Sequence, residues 1–291
     1  MIWPIVILIV CLSFLLIVII IATVQYGKMQ KYTGAISNAW SPDSIDTDYA
    51  KVMEASPGTL GGERDDLILA DFVVRMQHHE MEDITPPPDT QLLAAYGPDK
   101  GPYFVGVFLQ GTNLVFAFRG TMTKQETRAD LKTNQVPFLE TLRVHDGFYR
   151  VYMKYRNALM QWILTPHTKI YLTGHSLGGA MANLMALDLV ERANAQNVYA
   201  ATFGAPRVGN ENFAHHFGEH KDTLDIVRYA NKADIITSLP LNVMPNFDDR
   251  AGDLYLYVHA GREVSFVENF DTWKNNHKME YYIKYMKGEF T

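Results

Sequence analysis

Along the chain, apolar positions change their spacing several times, and each change predicts an element. Residues 5–24 carry no charge and are mostly Ile, Val and Leu. At about 1.5 Å of helical rise per residue, such a run spans roughly the 30 Å of a bilayer core. It predicts one N-terminal transmembrane helix. A cleaved leader is the rival, but no basic segment precedes the run and Ala22-Thr23-Val24 makes a poor cleavage site. Lys28 and Lys31 follow the span, so the positive-inside tendency puts the rest of the chain on the cytosolic face of a single-pass membrane protein. Up to Gly62 the sequence is polar and turn-rich, with Ser41-Pro42-Asp43, Ser56-Pro57-Gly58 and Gly61-Gly62, which predicts a tether or loosely packed lead-in. The chain thus divides into an anchor over 1–27, a linker over 28–62 and one folded domain over 63–291.

Within that domain, Leu69, Phe72, Val73 and Met76 recur at helical spacing, ending near His78-His79-Glu80. The histidine pair is read as a solvated helix end rather than a metal site. Pro86-Pro87-Pro88 breaks the pattern. Strand-like runs at 103–109 and 114–118 flank a turn at Gly111-Thr112-Asn113 and end in Phe118-Arg119-Gly120-Thr121. Phe148, Val151, Tyr152, Tyr155, Leu159 and Trp162 then share one helix face, and Pro166 stops that helix before another strand. A helix over 180–192 is apolar nearly all round, as burial against a sheet requires. Strand-like runs follow at 198–203, 225–229, 254–258 and 263–267, with a final helix over 277–287. Strands alternating with helices predict an α/β fold: a mostly parallel central sheet with helices on both faces.

Composition narrows the functional classes. With 291 residues, 47% of them hydrophobic, the chain can bury one sizeable α/β core. A net charge of −6 without any basic stripe argues against a nucleic-acid partner. Cys11 is the sole cysteine and lies inside the apolar run, so the folded domain holds neither a disulfide nor a thiolate metal site. No histidines fall in the H-E-x-x-H spacing that puts two imidazoles on one helix face, which disfavours a zinc hydrolase.

The chemistry gathers at Gly174-His175-Ser176-Leu177-Gly178-Gly179, between the β-rich run from Lys169 and the helical pattern from Ala180. A serine on a sharp strand-to-helix turn needs residues without side chains two positions before and after it, and Gly174 and Gly178 provide them. The following helix N-terminus offers unpaired N–H groups to developing negative charge, with the Leu177 amide foremost. A glycine-rich helix start is the bland alternative; the strand before and helix after favour a nucleophile elbow.

A serine hydroxyl needs a base, and the base needs an acid to hold its tautomer. On such sheets the order is serine, acid, histidine. Asp234 stands just past the carboxyl end of a strand, where catalytic side chains of open α/β sheets collect. Asp248, Asp249 and Asp253 follow no strand and read as solvated turn residues. His215, His216 and His220 precede the acid, which leaves His259 and His277. His259 lies in a strand-like run, whereas His277 opens the last helix after the polar loop Lys274-Asn275-Asn276. Position favours His277 without excluding His259.

Five segments in order carry a family resemblance: Phe118-Arg119-Gly120-Thr121, Val144-His145-Asp146-Gly147-Phe148, Gly174 to Gly179, Thr202-Phe203-Gly204-Ala205-Pro206-Arg207-Val208-Gly209-Asn210, and Asn231-Lys232-Ala233-Asp234-Ile235-Ile236. From about Leu67 onward the chain resembles the class 3 lipases, α/β-hydrolases that act on acylglycerols. The resemblance implies Ser176 as nucleophile, Asp234 as acid, and Thr121 with Leu177 as oxyanion-hole donors. It also implies His277 as the catalytic histidine, with the segment around His259 a non-catalytic strand, and His145 and His175 as structural histidines. In the family the segment after the oxyanion residue forms a lid with an apolar anchor. Here residues 122–131 keep Asp130-Leu131 but carry a polar residue at the anchor position, which argues against strong interfacial activation. The expectation is a membrane-tethered serine lipase working on glycerolipid acyl esters without metal or cofactor, with the bilayer as its partner and no protein partner indicated. The rivals are a small-ester esterase, an acyltransferase using the same residues, and a catalytically silent membrane scaffold that binds lipid.

Overall fold

Along the central strands apolar side chains face both ways, so the sheet they form must be covered on both sides. In the computed structural model the described residues are 59–62, 65–77, 84–98, 102–121, 134–139, 141–246 and 254–290. The expected anchor with Cys11, most of the linker, His78 and His79, the lid segment 122–131, and Asp248, Asp249 and Asp253 lie outside them. Among the described residues no helix is long and apolar enough to cross a membrane.

The sheet runs β1 (Thr90–Tyr96), β2 (Val105–Gln110), β3 (Asn113–Phe118), β6 (Lys169–His175), β7 (Val198–Phe203), β8 (Leu224–Asn231) and β11 (Arg262–Phe266). The first three pair antiparallel; from β3 onward every pairing is parallel. Two hairpins lie outside it, β4 (Gln135–Leu139) with β5 (Leu142–His145), and β9 (Val243–Pro245) with β10 (Leu254–Leu256). Expectation and structure thus agree on a mostly parallel sheet. The run expected at 254–258 leaves the main sheet for this second hairpin, while the one at 263–267 becomes its parallel edge.

Leu114, Phe116, Phe118, Ile170 and Leu172 face one core with α2 (Asp146–Met160), α3 (Leu177–Arg192) and α4 (Glu211–Glu219). Val115, Ala117, Tyr171, Val227 and Tyr229 face the other, with α1 (Asp65–Arg75) and α6 (Met279–Met286). Leu60 also packs into this second core.

Two charge sites, one half-buried and one fully buried, register the helices on the sheet. Asp65 and Asp66 open α1, where the helix dipole favours carboxylates. They accept the hydroxyls of Tyr171, Tyr199 and Tyr229, one from each of three neighbouring strands. On the opposite face Asp188 of α3 is fully buried and accepts from Tyr152 (2.6 Å), Arg192 (2.8 Å) and Arg156 of the neighbouring helix. Burial and this carboxylate push the Tyr152 phenol well above its ordinary range, so it remains a donor. Removing one partner of a buried ion pair leaves its counter-charges uncompensated. Because both arginines keep some contact with water, Asp188→Ala is expected to cost about 3 kcal/mol, the low end for such losses. Urea unfolding should show a lower midpoint at unchanged slope.

Candidate active site

The parallel strands end on one rim, and the site is built there. Ser176 follows β6 with φ 56° and ψ −127°, a backbone conformation that L-residues rarely hold. Its N–H donates to the Phe203 carbonyl at 2.9 Å, and its own carbonyl accepts from Gly179 at 2.9 Å. The two elbow glycines are required by close approach: a Cβ on Gly174 would lie 2.3 Å from the Gly178 carbonyl carbon, and one on Gly178 would lie 2.4 Å from the carbonyl oxygens of Phe118 and Arg119. The helix start is thereby pressed against the end of β3. Leu177, the first residue of α3, and Thr121, just past β3, are both buried beside this junction.

Asp234 is fully buried after β8, three residues past the strand's last residue, Asn231. Its Oδ2 accepts from His277 Nδ1 at 2.6 Å and from the Tyr282 hydroxyl at 2.7 Å, while Oδ1 accepts from the Ile236 N–H at 3.0 Å. An acceptor-only carboxylate on Nδ1 fixes the imidazole in the Nδ1–H tautomer and leaves Nε2 as the basic nitrogen. His175 Nε2 donates to the His277 carbonyl at 2.8 Å, and the two rings lie 4.5 Å apart, so the residue before the elbow serine holds the segment bearing His277. The structure therefore brings Asp234 and His277 together against the elbow.

His277 does not open a helix, as the sequence had suggested. Thr272 caps a short helix α5 (Trp273–Asn276), His277 closes it, and α6 begins only at Met279. Two of the polar residues expected to form a loop, Asn275 and Asn276, bond backbone groups around them instead. Asn276 donates to the Ala233 carbonyl at 3.0 Å and accepts from the Phe270 N–H at 2.7 Å. Asn231 donates to the carbonyls of Glu268 (2.8 Å) and Asn276 (3.2 Å) and accepts from the N–H groups of Ala233 and Glu268, each at 3.1 Å. These two asparagines and Tyr282 join the acid's loop to the histidine's loop. Sequence reasoning gave none of the three this role, although Asn231 stands in a family segment and Asn276 in the polar run before His277, because their partners lie up to 51 residues away along the chain.

The other histidines are elsewhere. His259 donates through Nε2 to the Thr237 carbonyl at 2.7 Å. His145 accepts the Phe148 N–H through Nδ1 and stacks on that ring at 3.9 Å, capping α2. His215, His216 and His220 lie on α4 and its end, a helix the hydrophobic pattern had not revealed. Burial, followed by the neighbouring His277, holds His175 well below the ordinary histidine range. Burial, followed by Arg228, lowers His259 to about 3 from 6.5, with Arg207 acting the same way and the Thr237 carbonyl and Glu263 opposing. Between those values the unfolded chain binds more protons than the folded one. Stability from both histidines is fully present above pH 6.5 and is lost as pH falls below it, for His259 down to about 3. The melting temperature is expected to drop already between about pH 6.5 and 5, before most carboxylates titrate. His259→Gln, which keeps a donor for Thr237 but cannot be protonated, should flatten that slope; an unchanged slope would remove His259 as a cause.

A strained serine at a helix N-terminus, and an imidazole fixed by a buried carboxylate and tied to the elbow through His175, are parts that acyl transfer needs. The comparisons with known proteins point the same way. Residues 115–244 match the family model "Lipase (class 3)". The chain is 32% identical over 166 residues to a lipase of Rhizomucor miehei, covering 54% of this chain and 42% of that protein. It is 29% identical over 204 residues to phospholipase A1-II 1 of Oryza sativa subsp. indica, covering 60% and 50%. The chain thus spans about half the length of these curated relatives or less. A solved triacylglycerol lipase, described as having a serine-protease triad at its catalytic centre, superposes with a TM-score of 0.52 at 28% identity, over 70% of this chain and 78% of that one. The segments around Gly120, Ser176 and Gly204 all lie inside the matched region, over which this chain is similar to the class 3 lipase family.

Proposed function

We propose that this protein is a membrane-tethered serine ester hydrolase acting on acyl esters of glycerolipids. The observation that carries the reading is the 2.6 Å hydrogen bond from His277 to Asp234, held against the elbow of Ser176 by the His175 bond to the His277 carbonyl. Ser176 Oγ attacks the acyl carbonyl while His277 Nε2 takes its proton, and the amides of Thr121 and Leu177 receive the oxyanion. Collapse releases the alcohol with a proton from His277. Water, deprotonated by the same imidazole, then attacks the acyl-enzyme and frees the fatty acid. Each step uses protein groups and water alone.

The uncharged run at 5–24 supports the tether, and Lys28 with Lys31 supports a cytosolic orientation. A domain held beside a bilayer meets amphiphilic substrate at high effective concentration. The substrate class is the acyl glycerolipid, a choice supported by relatives named as a lipase and a phospholipase A1.

The test is fatty-acid release by the full chain from a short-chain ester, mono- and triacylglycerol emulsions and phospholipid vesicles. Release from a glycerolipid in preference to the short-chain ester supports the reading. Preference for the short-chain ester would make the protein a small-ester esterase. No release from any substrate, with membrane binding intact, would leave a lipid-binding scaffold. Protease protection in sealed membranes tests the orientation: a domain shielded on the lumenal side sinks the cytosolic assignment.

A further inference from the structure

A buried guanidinium grips the peptide unit that carries the Thr121 N–H. Arg119, next after β3, is fully buried. Its Nε donates to the Tyr103 carbonyl at 2.6 Å and its Nη2 to the Pro102 carbonyl at 3.2 Å, and its guanidinium carbon lies 5.4 Å from the centroid of the Phe104 ring. Its Nη1 donates to the carbonyl of Gly120 at 2.6 Å. That carbonyl and the Thr121 N–H belong to one peptide unit. In a planar trans amide they point to opposite sides, so clamping the oxygen on the guanidinium aims the N–H away from it. Gly120 itself lies against the elbow: a Cβ there would be 3.4 Å from Ser176 Cβ and 3.1 Å from His175 Nδ1.

We infer that Arg119 is a positioning residue for ester hydrolysis, fixing and polarising the Gly120–Thr121 peptide so that the Thr121 N–H is a pre-aimed, strengthened oxyanion donor. The inference rests on the reading of Ser176 as nucleophile and Thr121 as oxyanion donor. Two effects act together. A cationic donor on an amide oxygen draws electron density from the nitrogen, and hydrogen bonds in such a chain strengthen one another. A donor already aimed when charge develops also needs no reorganisation during the reaction. Arginine suits the place because its planar fork reaches several carbonyls at once, whereas a lysine ammonium cannot span them in one plane.

The experiment compares wild type, Arg119→Met and Arg119→Lys on a soluble ester. Active fraction is corrected by fluorophosphonate labelling of Ser176, and affinity is measured for a trifluoromethyl ketone, whose adduct carries an oxyanion. Loss of a whole oxyanion donor costs about 100- to 1,000-fold in kcat, so a weakened donor in Arg119→Met should cost about 10- to 100-fold with KM nearly unchanged. Inhibitor affinity should fall in parallel. Arg119→Lys, with a cation but no fork, should lose both by a smaller factor, and it decides alone if Arg119→Met does not fold. Wild-type kcat and inhibitor affinity in Arg119→Lys or in folded Arg119→Met, a change in KM alone, or a fall in kcat without the matching loss of inhibitor affinity would each overturn the inference. A wild-type chain that neither labels nor hydrolyses any ester would instead sink the hydrolase reading itself.

Discussion

Ser176→Ala is expected to lower kcat for ester hydrolysis by about 10⁶-fold, leaving residual turnover from the oxyanion donors and substrate binding alone. The loss should be this large because the nucleophile and its base act as one unit: without Oγ, His277 has no proton to take, and without His277, Oγ remains a poor nucleophile. His277→Ala should therefore fall about as far, and the double variant hardly further. Additive losses would mean that the two side chains do not share a step. The comparison is clean because alanine keeps the Cβ, so the strained backbone at φ 56° is unchanged and the melting temperature should hold. Single-turnover kinetics on a chromogenic ester, with labelling to rule out contaminating wild type, reads the result. Activity within tenfold of wild type in Ser176→Ala would end the serine mechanism.

Asp234→Asn should cost about 10⁴-fold, for a different reason. An amide is nearly isosteric, and its oxygen in the Oδ1 position can still accept from the Ile236 N–H at 3.0 Å. Its NH₂ group, turned toward His277, would instead donate to Nδ1, forcing the ring proton onto Nε2, where the base must be free. The fold should survive while kcat collapses, and raising the pH should restore part of the rate by supplying hydroxide as an external base. A loss below tenfold would remove Asp234 as the acid and return attention to Asp248, Asp249 and Asp253.

These expectations draw on residues whose legibility in the sequence differed. The elbow could be read from the string because its causes are local: Ser176, its two glycines, the strand before and the helix after form one unbroken stretch from Lys169 to Arg192. Asp234 could be read because parallel strands deliver their carboxyl ends to one rim, so a carboxylate just past β8 has few other places to be. His277 was harder. Order left it open against His259, and the family resemblance favoured it. The structure supplies the physical reason: the His259 ring is spent on the Thr237 carbonyl, whereas His277 reaches Asp234. Its local setting was misjudged, since the polar run before it folds into α5 by capping that period analysis does not register.

Other elements escaped for related reasons. β1 has no clear alternation in Thr-Gln-Leu-Leu-Ala-Ala-Tyr, because an edge strand needs only half-burial and takes its register from β2. β4 and β5 are short and pair with each other, away from the main sheet.

By itself the sequence determined the α/β class, the position of the elbow serine and the order in which its candidate partners follow, since hydrophobic period, turn chemistry and helix starts are set by neighbours within a few residues. Only the tertiary structure decided how the partners are held. Asn231, Asn276 and Tyr282 tie two distant loops, and Arg119 clamps the peptide before Thr121. Buried polar groups must find hydrogen-bond partners wherever the fold brings them, and that requirement is met in space between residues whose spacing along the chain follows no rule.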